Sequence, residues 1–407
     1  MQKILIIVFI LGITNFSFSQ SGWVHQTSGV GTQTLLGAAL PDVNTGYVCG
    51  VNGIILKTTN GGTNWNSVPS STAKFLRSIS FVNVNTGVIV GESGLILRTT
   101  NGGSNWTDQS IISPNAFVNV NFLNSQTGMA SGENGMIYST TNDGTNWINQ
   151  TSGVTIELTG IFLTNSITAY ASGFSGTILK TTDGGANWNQ LQSNITSDLR
   201  AVFFVNETTG FVSGTGGKIL RTTNAGANWN IILSGVTNDL FSIYFSNEST
   251  GTIVGTGKVL HTIDGGLTWQ SQIISFSNDL YSVSFANSLT GIAVGQLGSI
   301  FKTDRGGVGV IQLSTSLPDR FALYQNYPNP FNPSTKIKFD VPASGNIKMN
   351  IYNSAGSLQA EILNENINAG SYSVTFDSNE FNLPSGIYYC SLEAEAFKQT
   401  IKMILLK

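Results

Sequence analysis

Short apolar runs, each closed by glycine, asparagine, serine or threonine, follow one another from Leu35 to Thr303 with a regularity that fixes the local structure. One unit reads LRSISF from Leu76, TGVIVG from Thr86, LILRTT from Leu95 and NWTDQS from Asn105. In Ile79/Phe81 and in Leu95/Leu97 the apolar positions recur every second residue, as in a strand with alternating faces. No stretch of this region carries the helical period of about 3.6 residues. Each unit is therefore predicted to hold four strands. Six tryptophans, Trp65, Trp106, Trp147, Trp188, Trp229 and Trp269, lie 41, 41, 41, 41 and 40 residues apart. Four strands repeated about every 40 residues describe a propeller blade, and the fold class is all-β.

The ends of the array predict how the ring closes. A seventh phrase, IFKTDRGGVGV from Ile300, has no Asn-Trp strand after it, whereas Trp23 in GWVHQTSGV has that strand with no phrase before it. The segment around Trp23 nearly repeats NWINQTSGV at Asn146. The expected architecture is a seven-bladed β-propeller over residues 20–311 whose last blade is completed by the N-terminal strand. Such closure hides both sheet edges, which otherwise template aggregation.

Each tryptophan closes the same turn, as in ILKTTNGGTNW and VLHTIDGGLTW. In Thr262-x-Asp264-x-Gly266-x-Thr268-Trp269 a short acceptor side chain can take N–H groups of its own turn while glycine supplies positive φ. The acceptor places are Asn60, Asn101, Asn142, Asp183, Asn224 and Asp264, and Arg305 stands there in the seventh copy. The phrase resembles the Asp-box, or bacterial neuraminidase repeat. The resemblance implies a structural hairpin remote from any active site, with each indole packed on a neighbouring blade.

Charged residues make up 10% of the 407, and the net charge is −3. No basic patch is available to neutralise phosphates, so nucleic acid is not an expected partner. His25 falls in the closing strand and His261 replaces the Lys57-type residue of the box strand, so both read as structural or solvated. Cys49 and Cys390 lie in different domains and read as buried free thiols. No catalytic residue, metal or cofactor is expected.

The two ends carry addresses. Residues 1–19 place Lys3 before the apolar run Ile4–Leu11 and Ser17-Phe18-Ser19 before Gln20, the layout of a signal peptide. No other stretch approaches the roughly 20 apolar residues of a transmembrane helix. Past Ile311 the period stops, a polar joint at 312–319 follows, and residues 320–407 read as a small β-sandwich. Its phrases QNYPNPFNPST, LPSGIY and the terminal KMILLK resemble the type A C-terminal sorting domain of the type IX secretion system of Bacteroidota. The resemblance implies type IX machinery as a partner and export to the outer-membrane surface or beyond.

Function is sought where the repeats disagree, because residues common to all blades serve the blade. From each tryptophan to the next blade's first apolar anchor is 11 residues in six cases. No long loop interrupts the ring, which argues against an enzyme pocket. The position after each anchor varies: Leu36, Arg77, Val118, Thr159, Arg200, Phe241 and Tyr281. So does the turn between the second and third strands, with Glu92, Glu133 and Phe174 among its residues. A binding rim for protein or glycan is expected from Arg77, Arg200, Phe241, Tyr281, Leu36, Glu92, Glu133 and Phe174. Glu157, Asp198, Asp239 and Asp279, just before anchors, read as turn caps rather than a glycosidase pair. Residues 21–311 also resemble the photosystem II stability and assembly factor propeller, whose arginine-rich patch has only Arg77 and Arg200 as counterparts. The expectation is an exported, non-enzymatic binding or assembly module. The alternatives are a glycan-active hydrolase of the sialidase or xyloglucanase kind and a structural surface-layer component.

Overall fold

The computed structural model describes residues 22–407 apart from 273–276, 305, 307–310, 315–316, 379–380, 382 and 396. The signal-peptide reading at 1–19 and the Arg305 position lie outside the described residues. Seven four-stranded antiparallel sheets fill the repeat region. The first is the meander Leu35–Ala39, Gly46–Gly50, Ile55–Thr58, Asn66–Ser67. The inner strand of every sheet packs on the inner strands of its neighbours, and Leu280–Phe285 of the last sheet returns to Leu35–Ala39. Serine and asparagine side chains stitch these inner strands together: Ser282 Oγ accepts the Ala38 N–H at 3.2 Å, and Asn121 Oδ1 accepts that of Leu163 at 3.0 Å.

The ring closes through the N-terminal strand. Val24–Gln26 pairs antiparallel with the third strand of the seventh sheet, in the register Val24 to Lys302, His25 to Phe301 and Gln26 to Ile300. Trp23 anchors the joint: it is buried, donates Nε1–H to Gln272 Oε1 at 2.9 Å and meets Phe285 edge-on at 5.8 Å.

Inside each complete box a threonine and the acceptor act together. Thr58 Oγ1 accepts the Gly62 N–H at 2.9 Å and donates to Asn60 Oδ1 at 3.0 Å, and the same Oδ1 accepts the Asn64 N–H at 2.9 Å. The other five complete boxes repeat this pattern, for example Thr181 with Asp183 and Thr262 with Asp264. The tryptophan that follows fills the seam between sheets. Trp65 lies with Leu35, Val48 and Leu56 of its own sheet and with Ile292, Val294 and Ile300 of the seventh.

A second device crosses the seams. Lys57 Nζ donates to the Gly102 carbonyl of the next box at 2.7 Å, Lys180 Nζ to that of Ala225 at 2.9 Å, and Arg221 Nε to that of Gly265 at 3.2 Å. Arg98 does the same at Asp143, through the carbonyl and an ion pair at 3.4 Å. His261, at the equivalent place, stays inside: burial pushes it down to about 4, and Thr252 Oγ1 lies 3.4 Å from its Nδ1.

The box acids give a pH expectation. Hydrogen bonds from Asn187, Thr181 and Ala186 pull Asp183 down to about 2. A carboxyl held below its unfolded pKa of about 3.9 adds stability above that value and loses it as pH falls toward 2. Asp183→Asn should therefore flatten the acid limb of Tm against pH between about pH 4 and 2. An unchanged limb would show that the turn gains nothing from the charge.

The C-terminal sandwich has two four-stranded sheets. One contains Ser334–Val341 and Gly370–Asp377, the other Gly345–Asn353, Leu358–Ile367, Gly386–Ala394 and Phe397–Leu405. Ile311–Ser314, most of which the sequence reading puts in the joint, pairs with Gly370–Asp377 as an edge strand of this unit. Phe339, Tyr372, Ile351 and Leu392 are among its core. The proline-rich phrase folds onto the last strand. Asn329 Oδ1 accepts the Ile404 N–H at 2.9 Å, Phe331 exchanges backbone bonds with Ile404 and Leu406, and its ring is 2% exposed. Among the described residues no helix is long and apolar enough to cross a membrane. Cys49 and Cys390 are buried free thiols, and burial raises both.

Candidate functional site

A bulge recurs at the start of every inner strand and re-aims one side chain. Leu35 pairs with Gly50 and Gly37 with Cys49, so Leu36 is left over between them. The same slip leaves out Arg77, Val118, Thr159, Arg200, Phe241 and Tyr281 in the other six sheets. A bulged residue leaves the ladder and its side chain turns away from the regular alternation. The glycine opposite is required sterically. A Cβ on Gly50 would lie 2.2 Å from the Thr34 carbonyl oxygen, and one on Gly255 would lie 1.9 Å from that of Asp239.

All seven bulged residues line one central cavity of about 510 Å³ at the end where the inner strands begin. Phe241 and Tyr281 stand side by side, ring centroids 5.2 Å apart at 45°, and Leu36 follows them around the ring. Tyr281 is braced from behind, since Gln296 Nε2 donates to its hydroxyl at 3.0 Å and to Asp279 Oδ2 at 3.0 Å. The opposite arc is polar, with Arg77, Thr159, Arg200 and Glu157. Thr159 Oγ1 donates to the Leu199 carbonyl at 2.7 Å.

Three residues expected on the rim do not line this cavity. Glu92 Oε2 accepts the Phe75 N–H and Glu133 Oε2 that of Ala116, both at 2.9 Å, so these carboxylates close their own turns. Glu133 also pairs with Arg77 at 3.5 Å. Phe174 serves as a platform, its ring centroid 5.0 Å from the Arg200 guanidinium. The acids expected as turn caps also divide. Asp198 accepts the Ser175 N–H at 3.0 Å and Asp239 that of Gly216 at 2.9 Å. Glu157 instead lines the cavity, and its carboxyl is raised above the ordinary glutamate range, chiefly by burial. Nothing in its spacing distinguished it from Asp198. Glu157 is one methylene longer than Asp198.

The box tryptophans and their acceptors stand apart from the cavity, in the outer turns and seams. Among the described residues no group of three or more histidine, cysteine, aspartate or glutamate side chains is gathered to hold a metal.

Comparison with known proteins agrees with the propeller fold. The model of the family described as photosynthesis system II assembly factor YCF48 matches residues 17–159, 150–223 and 222–327, and a secretion system C-terminal sorting domain matches residues 325–406. No curated protein matches the chain. Among solved structures, YCF48 bound to D1 peptide is 22% identical with a TM-score of 0.60, covering 69% of this chain and 96% of its own. YCF48 from Cyanidioschyzon merolae is 20% identical with a TM-score of 0.58, covering 69% and 98%. The WD40 β-propeller domain of Doa1 is 11% identical with a TM-score of 0.57, covering 69% and 96%, a likeness of fold alone. The chain thus belongs to the photosynthesis system II assembly factor YCF48 family and carries a secretion system C-terminal sorting domain that marks it for export.

Proposed function

We propose that this protein is an exported, non-enzymatic binding or assembly module that holds a peptide in the central cavity. The observation that carries this reading is the convergence of seven non-repeated bulged side chains on one cavity within an otherwise repetitive ring. The relative solved with a D1 peptide makes peptide the first ligand class to test. The sorting domain supports secretion or attachment to the cell surface through the type IX machinery. A signal peptide at 1–19 is part of the same proposal. A glycosidase needs two cooperating carboxyl groups. Glu157 lines the cavity, while the carboxylates of Asp198 and Asp239 are engaged by turn N–H groups.

The test is a peptide and glycan array with the mature propeller. Phe241→Ala and Tyr281→Ala should each weaken binding by about 1–3 kcal/mol while leaving Tm nearly unchanged. Arg98→Ala should do the reverse, lowering Tm through the lost bridge to Asp143 and sparing the ligand. Equal losses from Arg98 and Arg200, or none from the aromatic pair, would reduce the cavity residues to surface drift.

A further inference from the structure

Resting on the binding reading above, we infer that the central cavity selects a cationic side chain, the ammonium of a lysine or the guanidinium of an arginine in the bound peptide, with Glu157 as its counter-ion and Phe241 and Tyr281 as its aromatic wall. Glu157 stands just before its anchor, where the first three sheets have Thr34, Phe75 and Ala116, and it lines the same cavity as Arg77, Arg200 and the aromatic pair. Its charged neighbours act in opposite directions. Arg77 and Arg200 draw the carboxylate toward ionisation, while Glu133 and Asp198 push against it. Arg77 is already answered by Glu133 at 3.5 Å, and Arg200 lies over the Phe174 ring at 5.0 Å.

Among the described residues no side chain gives the Glu157 carboxylate an ion pair within 4 Å or a hydrogen bond. It is a half-buried carboxylate with the cavity before it and no protein partner. A partly desolvated anion gains most from a partner that brings both opposite charge and N–H donors. The tilted pair Phe241 and Tyr281, 5.2 Å apart, lines the opposite arc of the same cavity, and aromatic rings attract ammonium and guanidinium groups. An acidic ligand would face the Glu157 carboxylate, and of the two guanidiniums nearby Arg77 is already paired with Glu133.

The experiment measures fluorescence anisotropy of a matched set of fluorescein-labelled heptapeptides, identical but for a central lysine, arginine, glutamine or glutamate beside one phenylalanine. The expected order is lysine and arginine bound most tightly, glutamine weaker and glutamate weakest. Glu157→Gln should weaken the lysine peptide by about tenfold or more, the scale of one charge-assisted hydrogen bond, and should abolish discrimination between lysine and glutamine. Glu157→Asp should restore part of it. Tm of each variant at pH 7.5 checks the fold. Glutamate bound as well as lysine, an unchanged lysine affinity in Glu157→Gln, or no binding of the basic peptides at millimolar concentration would each overturn the inference. If acidic peptides or glycans bind instead and depend on Phe241, the cavity is a binding site of another specificity. If no array ligand depends on Phe241 and Tyr281, the binding reading itself falls.

Discussion

Trp23→Ala is expected to lower Tm by on the order of 10 °C and to loosen the ring. The indole is 1% exposed, packs among Leu280, Val283, Phe285 and Phe301, and bonds to Gln272. Truncating a buried tryptophan costs about 3–5 kcal/mol, and in a domain of this size each kcal/mol moves Tm by about 2–4 °C. Deleting residues 20–30 goes further, because it also removes Val24–Gln26 and bares the outer edge of Ile300–Thr303. An unpaired edge recruits other chains. The deletion variant should therefore form soluble oligomers or precipitate, measured by light scattering and differential scanning fluorimetry. A monomer with unchanged Tm would refute closure by this strand.

The second large effect concerns export. Ending the chain after Gly306 retains the described strands of the seventh sheet and removes the sandwich with its edge strand Ile311–Ser314. In a host with the type IX system this variant should fold, keep its ligand binding and accumulate in the periplasm. A milder lesion should act the same way. Phe331→Ala empties a buried site against the last strand, again at a cost of about 3–5 kcal/mol, while leaving the propeller untouched. Cell fractionation with surface proteolysis reads both variants. Normal display of the truncated chain would overturn the role given to the tail.

What the sequence disclosed and what it hid divide along a physical line. The strand period, the box turns and the near identity of the segments around Trp23 and Asn146 are local or repeated features, and they foretold the sheets, the closing strand and the residues after each anchor. The bulge that turns Leu36, Arg77 and their counterparts inward was invisible, because a bulge exists only relative to a partner strand. The bridge from Lys57 to Gly102 was equally hidden, since its partners meet only when adjacent sheets stack. Glu92, Glu133 and Phe174 were expected on the rim and instead cap turns or support Arg200. Glu157 was grouped with the capping acids and faces the cavity. In the first three cases the side chain's direction depended on a partner brought close only by folding, 17 residues away in the same sheet for Glu92 and Glu133 and on the next sheet for Phe174.

The pairing of Val24 with Lys302 also sets an order of events. A chain emerging N-terminus first presents Val24–Gln26 before any other strand of the propeller, and that strand waits longest for its mate. Until Ile300–Thr303 arrives, the earlier sheets form an open stack held by nearest-neighbour seams, each closable independently and each reversible. The last join spans nearly the whole repeat region and carries the largest loop-closure cost. It also converts a row of loosely coupled units into one cooperative body. Until that union the free first strand and the bare last edge are open to pairing with another chain, and closure removes both at once.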